Sequence, residues 1–309
     1  MPLKTARTQL VLYPFEWIVL GYSSLMILLL TVFGRPFRFY LDELTFYTGV
    51  VLLTLTIART VDDRAGRWQA LVRLGYVVVL FTFFYRMTGG LMELFFNRFF
   101  DAELASFEAA LFGFNPTLYI DHHLLSTWLN ELWSLCYFSY YLIIPGFFIP
   151  VFVRGDYEIM KQSLAAVSLT YFASYLLFCL YPVEGPRWYF AQRYLHDIEG
   201  PIFRPMVEFV INAGAVRGGA MPSSHSGVAI VILMYCLRHY RRVTWVLLPI
   251  VMGLAVGTVW GRFHYVSDVV VGSAIAIGAT LLIWRIHPII SQSVEDLDRV
   301  TAKGTANVS

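Results

Sequence analysis

Eight apolar stretches of 17–22 residues, separated by polar turns and loops, constrain this chain more than any other feature. They lie at 14–33, 44–60, 70–88, 132–153, 163–181, 224–240, 243–260 and 267–286. A helix rises about 1.5 Å per residue and the hydrocarbon core of a bilayer is about 30 Å thick, so segments of this length cross it once each. Lipid offers a peptide group no hydrogen bond, and a helix satisfies its own. The expected fold is therefore all-α, a polytopic transmembrane helix bundle of about eight spans. Composition agrees: 58% of the 309 residues are hydrophobic and 14% are charged, outside the soluble globular range. Aromatic residues make up 17%, which suits interfacial belts. A net charge of +2 singles out no partner beyond the bilayer. Nothing points to a nucleic acid, and nothing sets an oligomeric state.

The run from Tyr13 to Phe33 is too long for a signal-peptide core and lacks a small-residue cleavage site, so it reads as a retained helix. Asp42, Glu43 and Arg59 crowd the ends of the second stretch. Four regions are expected: N-terminal helices over 1–88, an amphipathic or re-entrant surface segment over 89–131, a second helical unit over 132–290, and a polar tail over 291–309. With the N-terminus inside, fourteen of the 23 Lys and Arg fall in inner segments and nine in outer ones. The turn Arg238-His239-Tyr240-Arg241-Arg242 is the sharpest inner marker. Both termini are thus expected in the cytoplasm, in a multi-pass protein of the plasma (inner) membrane. Cys136, Cys179 and Cys236 sit in apolar runs and read as buried free thiols. Gly253, Gly257 and Gly261, four apart, predict close packing against a neighbouring helix.

Two histidine motifs sit about forty residues apart: Pro222-Ser223-Ser224-His225, and Arg262-Phe263-His264-Tyr265-Val266-Ser267-Asp268. Two crossings separate them, so the bilayer returns both histidines to one face, here the outer one. His264 and Asp268 are four apart at a helix start and share a face. A carboxylate there orients one ring nitrogen and leaves the other nucleophilic; capping of the helix is the plainer role. Ser223 and Ser224 carry a helix-start signature, whose free first-turn amides suit an oxyanion or phosphate. His225 would then stand ready to protonate a leaving oxygen. Gly218-Gly219 gives the backbone freedom to approach a ligand closely. Tyr181-Pro182-Val183-Glu184-Gly185-Pro186-Arg187 forms a rigid turn on the same face. Arg187 is suited either to phosphate oxygens or to snorkelling towards lipid headgroups.

Together these pieces, over roughly residues 130–286, resemble the type 2 phosphatidic acid phosphatase (PAP2) superfamily. That superfamily has a basic motif near a Pro-rich turn, a Pro-Ser-x-His and a His-x-x-x-Asp followed by a Gly-containing helix. Here they fall on Arg187, on Pro222 to His225, and on His264 to Asp268 with Gly272 beyond. The resemblance implies a six-helix catalytic core and makes His264 the nucleophile that forms a phosphohistidine. Asp268 then orients it, His225 is the acid, and Arg187, Ser223, Ser224 and Arg262 hold the phosphate. It implies neither metal nor cofactor. Asp121-His122-His123 lacks a third ligand segment and reads as interfacial polar groups. The family's first-motif lysine is replaced by Leu180 and its third-motif arginine by Thr258, with Arg262 only two residues before His264. Arg217 is a candidate substitute cation, with Arg204-Pro205 a competitor for the first motif. The His-Tyr-x-x-Asp text and the aromatic segment from Glu131 to Tyr141 look closer to the inositolphosphotransferase-like branch, which includes inositol phosphorylceramide synthases.

The expected function is a membrane enzyme that cleaves a lipid phosphoester at the outer surface. Hydrolysis makes it a lipid phosphate phosphatase. Transfer to an alcohol makes it a phosphotransferase like the inositol phosphorylceramide or sphingomyelin synthases. A non-catalytic lipid transporter is a third reading, opposed by the scarcity of ionisable residues at mid-depth.

Overall fold

The computed structural model describes residues 10–34 and 39–306, with side chains to residue 287. The basic residues Lys4, Arg7, Arg35 and Arg38, and the last three residues of the polar tail, lie outside it. Thirteen helices are described: α1 (Pro14–Phe33), α2 (Leu41–Thr60), α3 (Arg67–Met87), α4 (Asp101–Phe112), α5 (Pro116–His123), α6 (Thr127–Phe138) and α7 (Tyr140–Arg154), then α8 (Tyr157–Leu180), α9 (Pro186–Tyr189), α10 (Phe203–Gly214), α11 (Ser224–His239), α12 (Arg241–Trp260) and α13 (Val266–Ala306). No strand occurs among the described residues; one parallel bridge joins Val183 to Gly219.

Seven helical segments are long and apolar enough to cross a membrane, with α6 and α7 counted as one. Helix α11, expected as a span, has only 16 residues, about 24 Å of rise, and falls short of that length. It starts at the histidine motifs and ends in the turn that leads into α12. The protein is thus an integral membrane protein. Its surface inverts that of a soluble one: Trp17, Leu28, Leu52, Val79, Leu142 and Val270 point outward.

Helix α8 is the central post, with fifteen of its 24 residues buried, and it packs against α1, α11 and α13. Away from the motifs, one end of the bundle is tied by polar contacts. Tyr240 donates to Asp156 at 2.7 Å, Arg67 donates to the Val153 carbonyl at 2.9 Å, and Lys161 pairs with Asp63 at 3.0 Å. The segments 88–126, 181–223 and 261–265 gather at the other end, where the motifs are.

Several expected boundaries move. The fourth pass begins at Thr127, where Ser126 caps α6 by accepting from the Leu129 amide, and not at residue 132. The expected surface segment is largely helical, folding as α4 and α5. The polar tail continues α13 as far as Ala306. The glycine stripe packs as expected on α6: a Cβ at Gly253 would meet Cys136 Sγ at 2.6 Å, and one at Gly257 the Trp133 carbonyl at 2.4 Å. Gly261 instead abuts Phe263 of its own loop. The three cysteines are free; Cys179 and Cys236 are buried and Cys136 is half-buried.

Candidate active site

Three loops meet at the motif end, stitched by backbone hydrogen bonds. Val183 donates to the Gly218 carbonyl at 3.0 Å, and Ala220 to Val183 at 2.9 Å. Arg187 donates to the Arg262 carbonyl at 2.8 Å, and Ser223 to the Asp268 carbonyl at 2.9 Å. Gly218-Gly219 therefore spends its backbone freedom on pairing with the 183 loop. Gly185, at φ +97°, faces the Phe263 carbonyl, which a Cβ would meet at 2.8 Å. Gly272 lets α13 touch the Ser223 backbone, whose carbonyl a Cβ would meet at 2.3 Å. A side chain at either place would pry two motifs apart.

The histidines converge. The ring centroids of His225 and His264 lie 6.1 Å apart. His264 Nδ1 is 2.8 Å from the Ala220 carbonyl and 3.4 Å from Asp268 Oδ2. A carbonyl oxygen only accepts, so Nδ1 carries the proton and Nε2 the lone pair. The carboxylate expected to orient the ring is thus the longer of two contacts. Asp268 is fully buried; its Oδ2 accepts the Tyr265 amide at 2.8 Å, and its Oδ1 has no hydrogen-bond partner. His225 lies against Tyr85, Tyr137 and Tyr140, the last with a centroid distance of 4.4 Å, and its Nδ1 also lacks a partner. Ser223 caps α11 by accepting from the Ser226 amide at 3.4 Å, and Ser224 opens the helix beside it.

Four arginines surround this centre, differently engaged. Arg187 makes a two-pronged pair with Glu208 at 3.1 and 2.7 Å. Arg204 binds the same carboxylate, and both guanidinium groups lie within 6 Å of the Phe263 ring, next to His264. Burial pulls the Arg204 guanidinium down to about 10, with Glu208 opposing and Arg187 and Arg262 adding to the pull. It stays protonated at neutral pH. Arg262 is not aimed at the histidines: it binds Asp121 and the His196 carbonyl, each at 2.6 Å, and stacks 3.8 Å above Tyr194. Those contacts hold its left-handed backbone at φ 65°, a conformation that costs a non-glycine residue about 1 kcal/mol or more. Arg217 is exposed and paired with Glu184. Leu180 is exposed, while Thr258 is buried and its carbonyl accepts the His264 amide at 3.2 Å.

Sequence reasoning missed four carboxylates from 101–131 that hold these loops. Asp101 accepts the Glu184 and Gly185 amides and the Tyr265 hydroxyl. Glu108 accepts both the amide and the hydroxyl of Ser267. Asp121, read as an interfacial polar group, has no exposed side chain and accepts the Leu195 and His196 amides besides Arg262. Glu131 accepts the Phe203 and Arg204 amides. Burial pushes the Asp101 and Glu108 carboxyls up, against the hydrogen bonds that favour their charge. Among the described residues no cluster of three or more His, Cys, Asp or Glu is placed to hold a metal ion.

One end of this helical membrane bundle thus presents two imidazoles, a helix N-terminus and paired guanidinium groups. The PAP2 superfamily model matches residues 102–282, from the start of α4 well into α13. The chain belongs to the PAP2 superfamily, whose members are generally phosphatases and phosphotransferases. No curated protein and no solved structure matches it.

Proposed function

We propose that this protein is a lipid phosphate phosphatase that works through a phosphohistidine. Transfer of the phosphoryl head group to an alcohol is the alternative fate of the same intermediate. One observation carries the reading: the Ala220 carbonyl fixes His264 in the Nδ1–H form while a second imidazole stands 6.1 Å away. The lone pair on Nε2 attacks phosphorus, and Asp268 stabilises the positive charge that grows on the ring. The first-turn amides of α11 and its dipole favour the phosphate oxygens. Arg187 supplies the guanidinium of the first motif, and Arg204 adds a second where the cations the family carries at Leu180 and Thr258 are missing. His225 protonates the leaving oxygen, then takes a proton from the incoming water or alcohol. The substrate is a lipid phosphate or phospholipid reached from the bilayer, and no metal enters the scheme. The Lys and Arg distribution favours a site on the extracytoplasmic side, with both termini cytoplasmic.

The test is turnover by the purified chain in detergent, on short-chain phosphatidate and a panel of phospholipids, with free phosphate and new lipid products both followed. Wild-type protein is expected to release phosphate and to yield an acid-labile, base-stable phosphoprotein on rapid quenching. His264→Ala should lose both. Wild-type-like turnover by His264→Ala overturns the proposal. A new phospholipid in place of free phosphate selects transfer over hydrolysis.

A further inference from the structure

A cavity of about 510 Å³ opens beside His225, between α3, α7, α8 and the end of α10. Its size falls in the range of about 300–1,000 Å³ that accommodates ligand-sized molecules. Most of its wall is apolar, from Val78 and Phe81 on α3 to Ile144 on α7 and Ile211 on α10. Its polar groups gather at the inner end, where Ser224 and His225 meet Tyr140 and Tyr171, whose hydroxyls bond to each other. The inner tyrosines are buried, whereas Thr82, Pro145 and Ala213 at the rim are exposed. The α3 wall precedes residue 102, where the family match begins. This cavity is therefore built partly from a helix that the shared core does not include.

An apolar chamber with hydroxyls at one end matches an amphiphile that carries a hydroxyl at the tip of a hydrocarbon body. A charged headgroup would find Arg86 alone as a charged neighbour, at the rim. His225 is the one member of the histidine pair among the lining residues, and it neighbours His264. A hydroxyl at the inner end and a phosphorus on His264 therefore reach the same imidazole.

We propose that this cavity binds the lipid alcohol of the reaction, a long-chain hydroxyl compound held with its oxygen at His225. The chemistry rests on the phosphoryl-transfer reading above. In the forward step the His264 Nε2–P bond forms, the P–O bond to the lipid breaks, and the His225 proton passes to the departing oxygen, which leaves a neutral alcohol in the cavity. In the return step an alcohol bound there gives its proton to His225 as its oxygen bonds to phosphorus and the N–P bond breaks. Water in the same position gives hydrolysis.

The binding claim is tested without turnover. The full-length chain in nanodiscs is irradiated with a hexadecanol that carries a diazirine, and adducts are mapped by peptide mass. Adducts are expected on the α3 peptide around Tyr85 and the α7 peptide around Tyr141, suppressed by excess hexadecanol. Thr82→Trp and Ala213→Trp, from two different helices, should each lower that labelling at least fivefold. Labelling spread over the outward helix faces, or indifferent to competitor and to both substitutions, overturns the proposal. If wild-type protein turns over lipid phosphates, the same variants should lower the ratio of long-chain to aryl phosphate turnover about tenfold; an unchanged ratio also overturns it. An inactive wild type that still shows competed labelling in the cavity refutes the enzymatic reading and leaves the binding site standing.

Discussion

The proton on His264 Nδ1 faces two acceptors, the Ala220 carbonyl at 2.8 Å and Asp268 Oδ2 at 3.4 Å. The backbone oxygen suffices to fix the tautomer, so Asp268 acts mainly through its charge. Asp268→Asn keeps an oxygen for the Tyr265 amide and removes only that charge. It is expected to lower kcat on short-chain phosphatidate about a hundredfold, the scale of losing one electrostatic stabiliser, with the melting temperature nearly unchanged. A normal rate would make Asp268 no more than a cap. Glu208 raises a different question, because it already occupies both terminal nitrogens of Arg187 and one of Arg204, whose Nε has no partner. A substrate phosphate has to share or replace that carboxylate. Glu208→Gln adds one net positive charge at the site, so KM should fall several-fold while kcat holds. A higher KM would show that Glu208 chiefly positions the two arginines. Arg204 and Glu208 stand four apart on α10, a helix that the apolar runs do not announce. Their convergence with Arg187, 21 residues upstream of Glu208, is set only by the fold around α10.

Helix α4 works as a strap across the motif loops, and its two inward carboxylates make that testable. Glu108 Oε1 receives both Ser267 bonds, at 2.7 and 2.9 Å, so Glu108→Gln preserves the geometry and deletes the titration. Burial raises the Glu108 carboxyl above its ordinary value. The folded state therefore binds more protons than the unfolded one between the ordinary and the raised value. Through this group alone, stability falls as pH rises across that window and is flat above it. Melting temperatures of the two proteins across the window should diverge: wild type loses ground to Glu108→Gln as pH rises. Parallel curves would mean that Glu108 is not neutralised by burial. The sequence reads this segment as an amphipathic or re-entrant surface stretch, and the chain forms α4 and α5 within it. It could not show which carboxylates turn inward. Asp101, Glu108, Asp121 and Glu131 read as ordinary polar positions, because their partners are amides 72 to 159 residues away. Apolar periodicity reports burial against lipid or core. A carboxylate that serves a distant amide leaves no such period.

Across the whole molecule, the spans were legible because bilayer thickness dictates their length, and the two histidines were legible because two crossings must return them to one face. The opposite end relied on contacts that no run length announces. Arg73 and Glu16 are fully buried and paired at 3.0 Å, with Asp63 and Lys161 beside them, joining α1, α3 and α8. Removing one partner strands a buried charge, so Glu16→Ala should destabilise the fold by about 3–5 kcal/mol. Phosphate turnover below its lowered melting point should persist, since the pair ties the bundle at the end away from the histidines. The proposed orientation in the membrane rests on charge. The turn from Arg238 to Arg242 carries three arginines, and no other turn between neighbouring spans is as densely basic. In the proposed orientation that turn is inside, because translocating several cations costs more than retaining them. Leu195 is 70% exposed at the histidine end, and Arg241 starts α12 at the other. The native thiols are buried or half-buried, so background labelling is low. In intact cells Leu195→Cys should react with an impermeant maleimide and Arg241→Cys only after permeabilisation. The reverse pattern would turn the protein over in the membrane, put the site in the cytoplasm, and require its lipid phosphate to come from the inner leaflet.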